Sequence, residues 1–274
     1  MNKQFEINNK VVIITGGAGM LGTRYANLVC DLGGIPIIID IDKDKINKVV
    51  KKLKKKNINS FGYSANIQNE SEIIKKKKLI IKKYKRIDIL INNAALTAKG
   101  MSNKGSDFFK ALEEYPLDLW EKLIDVNLTG HFICSKIFGK NMIKNRSGII
   151  VNVSSEIGLI SPDKRIYKGI KNPYSKGPLN NPPPYSATKA GLIQMSNYLS
   201  IKWAKYNVRV NSFCPGGVFD NHDKKFVKRY SNLVPMGRMA FKDEYLGPIA
   251  FLISNASYAI NGKTLVVDGG KTSW

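Results

Sequence analysis

A tyrosine and a lysine stand four positions apart in the segment Tyr185-Ser-Ala-Thr-Lys189. Residues at positions i and i+4 lie on one face of a helix, so the Lys189 ammonium can lie close to the Tyr185 phenol. A nearby cation favours the phenolate and lowers the pKa of a tyrosine from its usual value of about 10. The pair is therefore a candidate acid/base catalyst, and the alternative is an ordinary Tyr–Lys pair on a helix surface.

A glycine cluster followed by an acidic residue forms a second candidate site. The segment TGGAGMLG, at 15–22, stands between a short apolar run and a helical pattern. Glycines let the backbone approach a pyrophosphate closely, and the N-terminus of a helix favours negative charge. Asp40 ends the next apolar run, 24 residues after Gly16, where a carboxylate can accept hydrogen bonds from an adenosine ribose. The two features predict a dinucleotide site, and a structural turn with a helix-capping acid is the alternative.

The elements that must position these residues alternate regularly along the chain. Strand patterns rich in Ile and Val are predicted at 11–15, 35–42, 60–67, 87–95, 148–155, 208–214 and 264–268. Helical patterns separate them, including one long helix over 117–144, which favours a parallel sheet covered on both faces. We therefore expect one Rossmann-like, doubly wound α/β domain over 1–274. The stretches 96–116, 156–184 and 216–240 are predicted to be irregular and to follow strand C-terminal ends, where such sheets bind ligands.

The composition excludes several classes of protein. No apolar run approaches the ~18 residues of a membrane-spanning helix, and the polar N-terminus does not read as a signal peptide. The three cysteines are scattered, which favours a reducing compartment, and the sequence predicts a cytoplasmic protein. With only two histidines and no dense acidic cluster, no metal site is predicted.

The charge is strongly positive, because 44 basic residues face 21 acidic ones and the net charge is +23. Lysine-rich runs at 51–56 and 75–78 fall inside helical patterns that keep an apolar stripe. In the first of these patterns Ile46, Val49, Val50 and Leu53 share one face, and lysines fill the other. We therefore interpret the lysines as solvated helix faces and expect no nucleic-acid partner.

The sequence resembles the short-chain dehydrogenase/reductase family over nearly its whole length. The motifs that carry the resemblance, in chain order, are TGGAGMLG (15–22), NNAA (92–95), DVNLTG around Asn127, IVNVSS (150–155), YSATK (185–189), RVNSFCPGG (209–217) and VVDGG (266–270). The resemblance implies a nicotinamide cofactor and four catalytic residues. Tyr185 would exchange a proton with the substrate oxygen, and Ser155 would hold that oxygen. Lys189 would bind the nicotinamide ribose and acidify Tyr185, and Asn127 would order a water.

The resemblance also implies which residues contact the cofactor. They are Gly16, Gly19, Met20, Leu21, Gly22, Asp40, Ile41, Asn66, Ile67, Asn93, Ala94, Ala95, Tyr185, Lys189, Pro215, Gly216 and Val218. Asp40, together with the absence of Arg and Lys from 15–22, favours NAD over NADP, because a carboxylate repels a 2′-phosphate. Three residues depart from the family pattern: Met20 replaces a usual glycine, Asn66 a usual Asp, and Asp220 a common Thr.

The segment 156–184 separates Ser155 from Tyr185 by 30 positions, at least twice the spacing usual in the family. Its prolines exclude a regular helix, and Pro182–Pro184 are expected to enter the Tyr185 helix in an extended form. We predict that this insertion forms one wall of the substrate pocket. Its cations and tyrosines would suit an anionic sugar, and a subunit-interface or solvent loop is the alternative. The cations and tyrosines of the insertion are Lys164, Arg165, Lys168, Lys171, Lys176, Tyr167 and Tyr174.

A closer resemblance rests on the segments PDKRIYKG, FDNHDKKFV and PMGRMA. They look like oxidoreductases of flagellin glycosylation and legionaminic acid biosynthesis, which implies carbohydrate biosynthesis. We expect an NAD-dependent oxidoreductase that interconverts an alcohol and a carbonyl on a sugar, amino-sugar or sugar phosphate. A polyol or aldonate dehydrogenase, such as one acting on gluconate, is an alternative, and a non-catalytic basic nucleic-acid or NAD-sensing protein is another. The family implies a homo-oligomer, either a tetramer or a dimer.

Overall fold

One seven-stranded parallel sheet organises the computed structural model, which describes residues 3–98, 101, 107–173, 177 and 179–274. The strands are β1 Val11–Thr15, β2 Ile35–Asp40, β3 Phe61–Ser64, β4 Ile89–Asn92, β5 Gly148–Val153, β6 Val208–Pro215 and β7 Thr264–Val267. Their order across the sheet is β3-β2-β1-β4-β5-β6-β7. The chain therefore reverses direction across the sheet between β1 and β4, and the carboxyl ends of all strands meet at one edge.

Eight α-helices cover the sheet in the part of the chain that the structure describes. They are α1 Met20–Asp31, α2 Lys43–Leu53, α3 Glu70–Tyr84, α4 Leu117–Ile124, α5 Gly130–Lys144, α6 Pro183–Trp203, α7 Lys224–Ser231 and α8 Leu246–Ile253. Several begin at capping residues: Asp42 accepts a hydrogen bond from the Lys45 amide at 2.9 Å, and Asn69 accepts one from the Glu72 amide at 3.1 Å. Such caps stabilise helix starts that the lysine-rich sequences alone define poorly.

The core lies on both faces of the sheet. On one face, strand residues such as Ile13 and Leu90 pack against α3, α5 and α6 through Ile73, Phe138 and Trp203. On the other face, the alternate strand residues pack against α1, α2 and α8. Because the central strands are buried on both sides, they are continuous apolar runs, as in other parallel sheets. The predicted Rossmann-like, doubly wound fold in a single domain is confirmed.

Three local predictions differ from the structure. The helix expected over 117–144 is divided by a π-helical turn, Asp125–Thr129, which carries Asn127. The stretch 216–240 contains α7, whose first turn is capped by Asp223 at 2.7 Å from the Lys225 amide. Pro183 and Pro184 lie within the first turn of α6 rather than in an extended lead-in, because first-turn amides have no intrahelical acceptor and proline loses nothing there.

No helix in the described part of the chain is both long and apolar enough to cross a membrane.

Candidate functional site

The glycine loop lies in the crevice between β1 and β4. Gly16 adopts a φ of 61°, in the left-handed region that favours glycine. A Cβ on Gly16 would lie 2.7 Å from the Ala94 Cα, and one on Gly22 would lie 2.2 Å from the Gly16 carbonyl oxygen. Both positions therefore require glycine, and α1 begins directly after Gly19. The first-turn amides of α1 have no intrahelical acceptor, as at any helix N-terminus.

Asn93, directly after β4, connects the end of that strand to the glycine loop by hydrogen bonds. The Asn93 side-chain amide donates to the Thr15 and Gly16 carbonyl oxygens at 3.1 and 3.2 Å. The backbone amides of Asn93 and Ala94 donate to the Thr15 hydroxyl at 3.0 and 3.2 Å. The next residue, Ala95, is exposed. The structure thus brings together the two motifs that the sequence placed 77 residues apart.

Asp40 links the same loop to the end of β2. One carboxylate oxygen accepts the Ala18 amide at 3.0 Å and the other accepts the Asp42 amide at 3.2 Å. A carboxylate offers about four acceptor positions, so two remain for ribose hydroxyls. The adjacent Ile41 is 72% exposed, so its side chain is available to contact an adenine ring.

The other predicted adenine contacts have partners of their own. The Asn66 side-chain oxygen accepts the Gln68 amide at 3.0 Å, and Ile67 is buried against Gly130. Met20 is 39% exposed at the start of α1. These residues surround the loop edge but do not by themselves define a ligand.

Taken with the open backbone of the loop, these features fit an adenine dinucleotide. The cradle around Gly16 and Gly22 has no room for side chains, and the first turn of α1 could hold a pyrophosphate. Asp40 could hold the adenosine ribose. At the end of β6, Pro215, Gly216 and Val218 lie beside β7 and the segment before α8, where Gly216 donates to the Val267 carbonyl at 2.9 Å.

Ser155, Tyr185 and Lys189 come together at the end of β5. Ser155 follows the strand, and its hydroxyl accepts the Ile157 amide at 3.3 Å and hydrogen-bonds Tyr185. Tyr185 lies in the first turn of α6, and the Lys189 ammonium lies 5.6 Å from the centre of its ring. Lys189 is 3% exposed and donates to the Val153 carbonyl at 2.9 Å. This arrangement is consistent with the prediction from the sequence that these side chains lie close together.

Burial has the largest effect on the pKa values of this group. Burial raises the pKa of Tyr185, and its hydrogen bond with Ser155 lowers that pKa in part. The Lys189 ammonium lies over the Tyr185 ring and donates to a backbone carbonyl. Burial lowers the pKa of Lys189 itself to about 8.

Asn127 is fully buried in the π-helical turn, and its side chain is bonded to backbone. Its carbonyl oxygen accepts the Leu96 amide at 2.7 Å. One turn later, His131 contacts the Ala94 carbonyl at 2.6 Å through Nε2. Burial, with a contribution from Lys189, lowers the pKa of His131 to about 3, so the ring is neutral. Any water held by Asn127 would therefore contact its backbone rather than its side chain.

Sequence reasoning missed a buried charged group beside Ser155. Glu156 is 3% exposed, and one of its carboxylate oxygens accepts from the Lys271 ammonium at 2.6 Å and from the Tyr230 hydroxyl at 2.7 Å. The Tyr230 hydroxyl in turn accepts the Gly217 amide at 2.6 Å. Glu156 and Lys271 are 115 positions apart, so no local spacing could have connected them.

The insertion 156–184 packs against α7. Arg229 of α7 donates to the Ile166 and Lys168 carbonyls, and the Tyr167 ring lies 5.6 Å from the Phe226 ring. The predicted cations Lys164, Lys168 and Lys171 are exposed, and Arg165 is 88% exposed and bonded to Asp163. Tyr174, Lys176 and Pro178 lie outside the described residues. Across the residues that the structure describes, no cluster of three or more His, Cys, Asp or Glu side chains could hold a metal ion.

Comparison with known proteins is consistent with this geometry. Residues 10–168 match the short chain dehydrogenase family, and residues 174–272 match the family described as enoyl-(acyl carrier protein) reductase. An NAD-dependent glycerol dehydrogenase of Listeria innocua is 29% identical over 276 residues, covering 99% of this chain and 97% of that protein.

Two solved structures have the same fold. A short chain dehydrogenase from Leptospira borgpetersenii with bound NAD+ has a TM-score of 0.84 and 29% identity, covering 99% of this chain and 96% of that one. A gluconate 5-dehydrogenase from Burkholderia cenocepacia, in complex with NADP and tartrate, has a TM-score of 0.85 at 24% identity, covering 99% of this chain and 98% of the other.

Proposed function

The chain belongs to the short-chain dehydrogenase family, and we propose that it is an NAD(H)-dependent oxidoreductase that interconverts an alcohol and a carbonyl group on a polyol or sugar. The observation that carries the proposal is the meeting of Ser155, Tyr185 and Lys189 at the carboxyl end of β5. This group shares one sheet edge with a glycine loop that fits a dinucleotide. A protein that only senses NAD does not need the buried lysine and the tyrosine beside it.

In this function the chain moves a proton and fixes the reacting oxygen. The nicotinamide, when bound, supplies the hydride donor or acceptor. Tyr185 gives a proton to the carbonyl oxygen in reduction and takes one from the hydroxyl in oxidation. Ser155, already hydrogen-bonded to Tyr185, would hold the same oxygen. Lys189 would hold the nicotinamide ribose, and Asn127 would order a water through its backbone.

NAD(H) is the proposed cofactor rather than NADP(H). The Asp40 carboxylate would accept hydrogen bonds from both ribose hydroxyls and repel a phosphate on the 2′ oxygen. Its position is supported by the bonds to the Ala18 and Asp42 amides. The glycine loop would surround the pyrophosphate with backbone amides and would present no cation to the 2′-phosphate of NADP(H).

A polyol or sugar is the proposed substrate because the glycerol dehydrogenase resembles this chain over nearly its whole length. The insertion 156–184 is proposed to form a wall of the substrate pocket, since one end adjoins Ser155 and the other Tyr185. The amino-sugar pathway implied by the closer sequence resemblance stays a prediction, as does a homo-oligomer.

The test is an absorbance assay for reduced nicotinamide with NAD+ and a panel of polyols, sugars, amino sugars and sugar phosphates. Tyr185→Phe should abolish turnover and still bind NADH in a fluorescence titration. Tyr198→Phe, on the exposed face of the same helix, is the matched control and should retain activity. Binding of NADH without turnover of any panel member by the wild-type protein would favour the sensing alternative.

A further inference from the structure

Glu156 has an acceptor that the protein leaves unused. Its first carboxylate oxygen is shared by Lys271 and Tyr230, but the second, Oε2, is buried and has no hydrogen-bond partner among the described residues. A buried polar atom without a partner costs about 1–3 kcal/mol, and more when it is charged. Each such atom in a native protein calls for an explanation, and a donor from outside the chain is one.

The unused oxygen lies at the strand ends that carry the reaction. Glu156 directly follows Ser155, and a Cβ on Gly216 would lie 3.1 Å from Oε2. Oε2 therefore lies between the ends of β5 and β6, which carry Ser155 and the predicted nicotinamide-contacting turn. Tyr185 lies close by: burial is the main cause of its raised pKa, and the Glu156 charge contributes to the rise.

A second unused acceptor belongs to the insertion. The Asn181 side chain hydrogen-bonds the Tyr167 hydroxyl, but its Oδ1 atom is buried and has no partner in the described part of the chain. Burial raises the pKa of Tyr167 to about 12, and the charges of Glu156 and Tyr185 contribute to the rise. Asn181 thus bonds a tyrosine that lies within electrostatic range of both Glu156 and Tyr185.

The charges around this region do not favour an anion. The cations of the insertion are exposed, and Arg165 is bonded to Asp163. Two buried cations near this region also have acceptors: Lys189 donates to the Val153 carbonyl at 2.9 Å, and Lys271 is bonded to Glu156 at 2.6 Å. A phosphate or carboxylate entering here would meet two unmatched acceptors, whereas a hydroxyl can donate to each of them.

We propose, on the basis of the proposed function, that Glu156 Oε2 and Asn181 Oδ1 accept hydrogen bonds from substrate hydroxyls and so select neutral polyols over deoxy and anionic analogues. Glu156 and Asn181 are specificity-determining residues. The Lys271–Tyr230 pair holds the Glu156 carboxylate so that one oxygen remains available. The proposal is an alternative to an anionic substrate bound by the cations of the insertion, which stays a prediction.

The first experiment compares matched substrates with the wild-type enzyme and NAD+. The polyol of the panel with the highest kcat/KM is assayed beside its deoxy analogue, which lacks one hydroxyl, and beside the aldonate and phosphate ester of the same carbon chain. We expect kcat/KM to fall at least about tenfold for each analogue, because the site then keeps an unpaired acceptor. Equal or better turnover of the aldonate or phosphate would overturn the proposal.

The second experiment uses Glu156→Gln, which replaces the Oε2 acceptor with a donor, and Asn181→Leu, which removes the Oδ1 acceptor. Each should lower kcat/KM for the polyol about 10–100-fold and change it little for the deoxy analogue, so that the preference disappears. The dissociation constant of NADH should stay unchanged. Glu113→Gln, at an exposed position, is the matched control. If Glu156→Gln does not fold, Asn181→Leu and the wild-type preference still decide the outcome.

The outcomes separate this inference from the proposed function. If the wild-type enzyme oxidises polyols but does not discriminate the deoxy analogue, Oε2 and Oδ1 bind only structural water and the inference is wrong while the function stands. If the enzyme binds NADH and turns over no polyol or sugar, the proposed function fails, and the inference with it.

Discussion

Replacing Lys271 with methionine tests how strongly the buried ion pair supports the site. The Lys271 ammonium lies 2.6 Å from a Glu156 oxygen, and the two side chains are 6% and 4% exposed. It also lies 4.4 Å from the centre of the Tyr230 ring. Methionine keeps nearly the same length but leaves the carboxylate with the Tyr230 hydroxyl as its one remaining donor among the described residues.

The cost follows from burial. Removing one partner of a buried pair leaves an uncompensated charge and costs about 3–5 kcal/mol. An exposed pair of nearly the same length provides the control: Lys56 lies 2.8 Å from Asp31, and their side chains are 45% and 51% exposed. Breaking such a pair costs about 0–1 kcal/mol. Lys271→Met should therefore destabilise the protein by about 3 kcal/mol more than Lys56→Met.

Urea unfolding measures both variants, and the protein concentration is held fixed because any assembly of the chain would make its stability depend on concentration. The double variant Lys271→Met/Glu156→Gln should recover part of the loss, since the unpaired charge is then gone. Equal costs for the two lysine variants would show that the pair is not buried in solution. A double variant less stable than the sum of the single changes would also contradict the reasoning.

Four further results are expected. Tyr185→Phe should lower kcat at least about 100-fold and leave NADH affinity unchanged in a titration. Burial lowers the pKa of Lys189 from 10.5 to about 8, so the unfolded chain binds more protons than the folded one between these two pH values. The free energy of unfolding of the wild type should therefore rise relative to that of Lys189→Met as pH rises through this window, which unfolding measured at a series of pH values will test. Asp40→Asn should reduce the ratio of kcat/KM for NAD+ over NADP+, and a wild-type preference for NADP+ would contradict the role of Asp40. Gly22→Ala, whose Cβ would meet a backbone oxygen at 2.2 Å, should weaken NADH binding by titration, whereas Gly247→Ala, with open space within 4 Å, should not.

The fold could be predicted because each of its signals is local. Ile- and Val-rich runs mark strands that are buried on both faces, and β1, for example, is buried throughout. The glycine loop and the i, i+4 pair of Tyr185 and Lys189 are likewise contained within a few residues. Parallel strands then bring their carboxyl ends to one edge, so the sequence places the candidate site without any knowledge of tertiary contacts.

The features that escaped prediction depend on contacts between distant segments. The Glu156–Lys271 pair joins the ends of β5 and β7, and although each residue directly follows a recognisable motif, no local pattern connects two residues 115 positions apart. In the insertion, no period shows which side chains face inward, so Lys164 and Tyr167 were equal candidates for the pocket. The structure leaves the lysine exposed and packs the tyrosine against α7. Helix α7 itself is short and rich in lysine. The partner of its apolar face becomes clear only in the structure, where Phe226 packs against Tyr167 of the insertion.

The departure at Asp220 shows how a tertiary partner changes the meaning of a sequence difference. Where the family commonly has a threonine, the Asp220 carboxylate is bonded to the Lys242 ammonium. The neighbouring Asp243 is bonded to Arg24 of α1 at 2.8 Å. Both pairs are partly exposed and contribute at most about 1 kcal/mol each, so they orient more than they stabilise. Through Lys242 and Asp243 they connect the loop after β6 to the helix that follows the glycine loop, so the residue that departs from the family pattern has an ion-pair partner of its own.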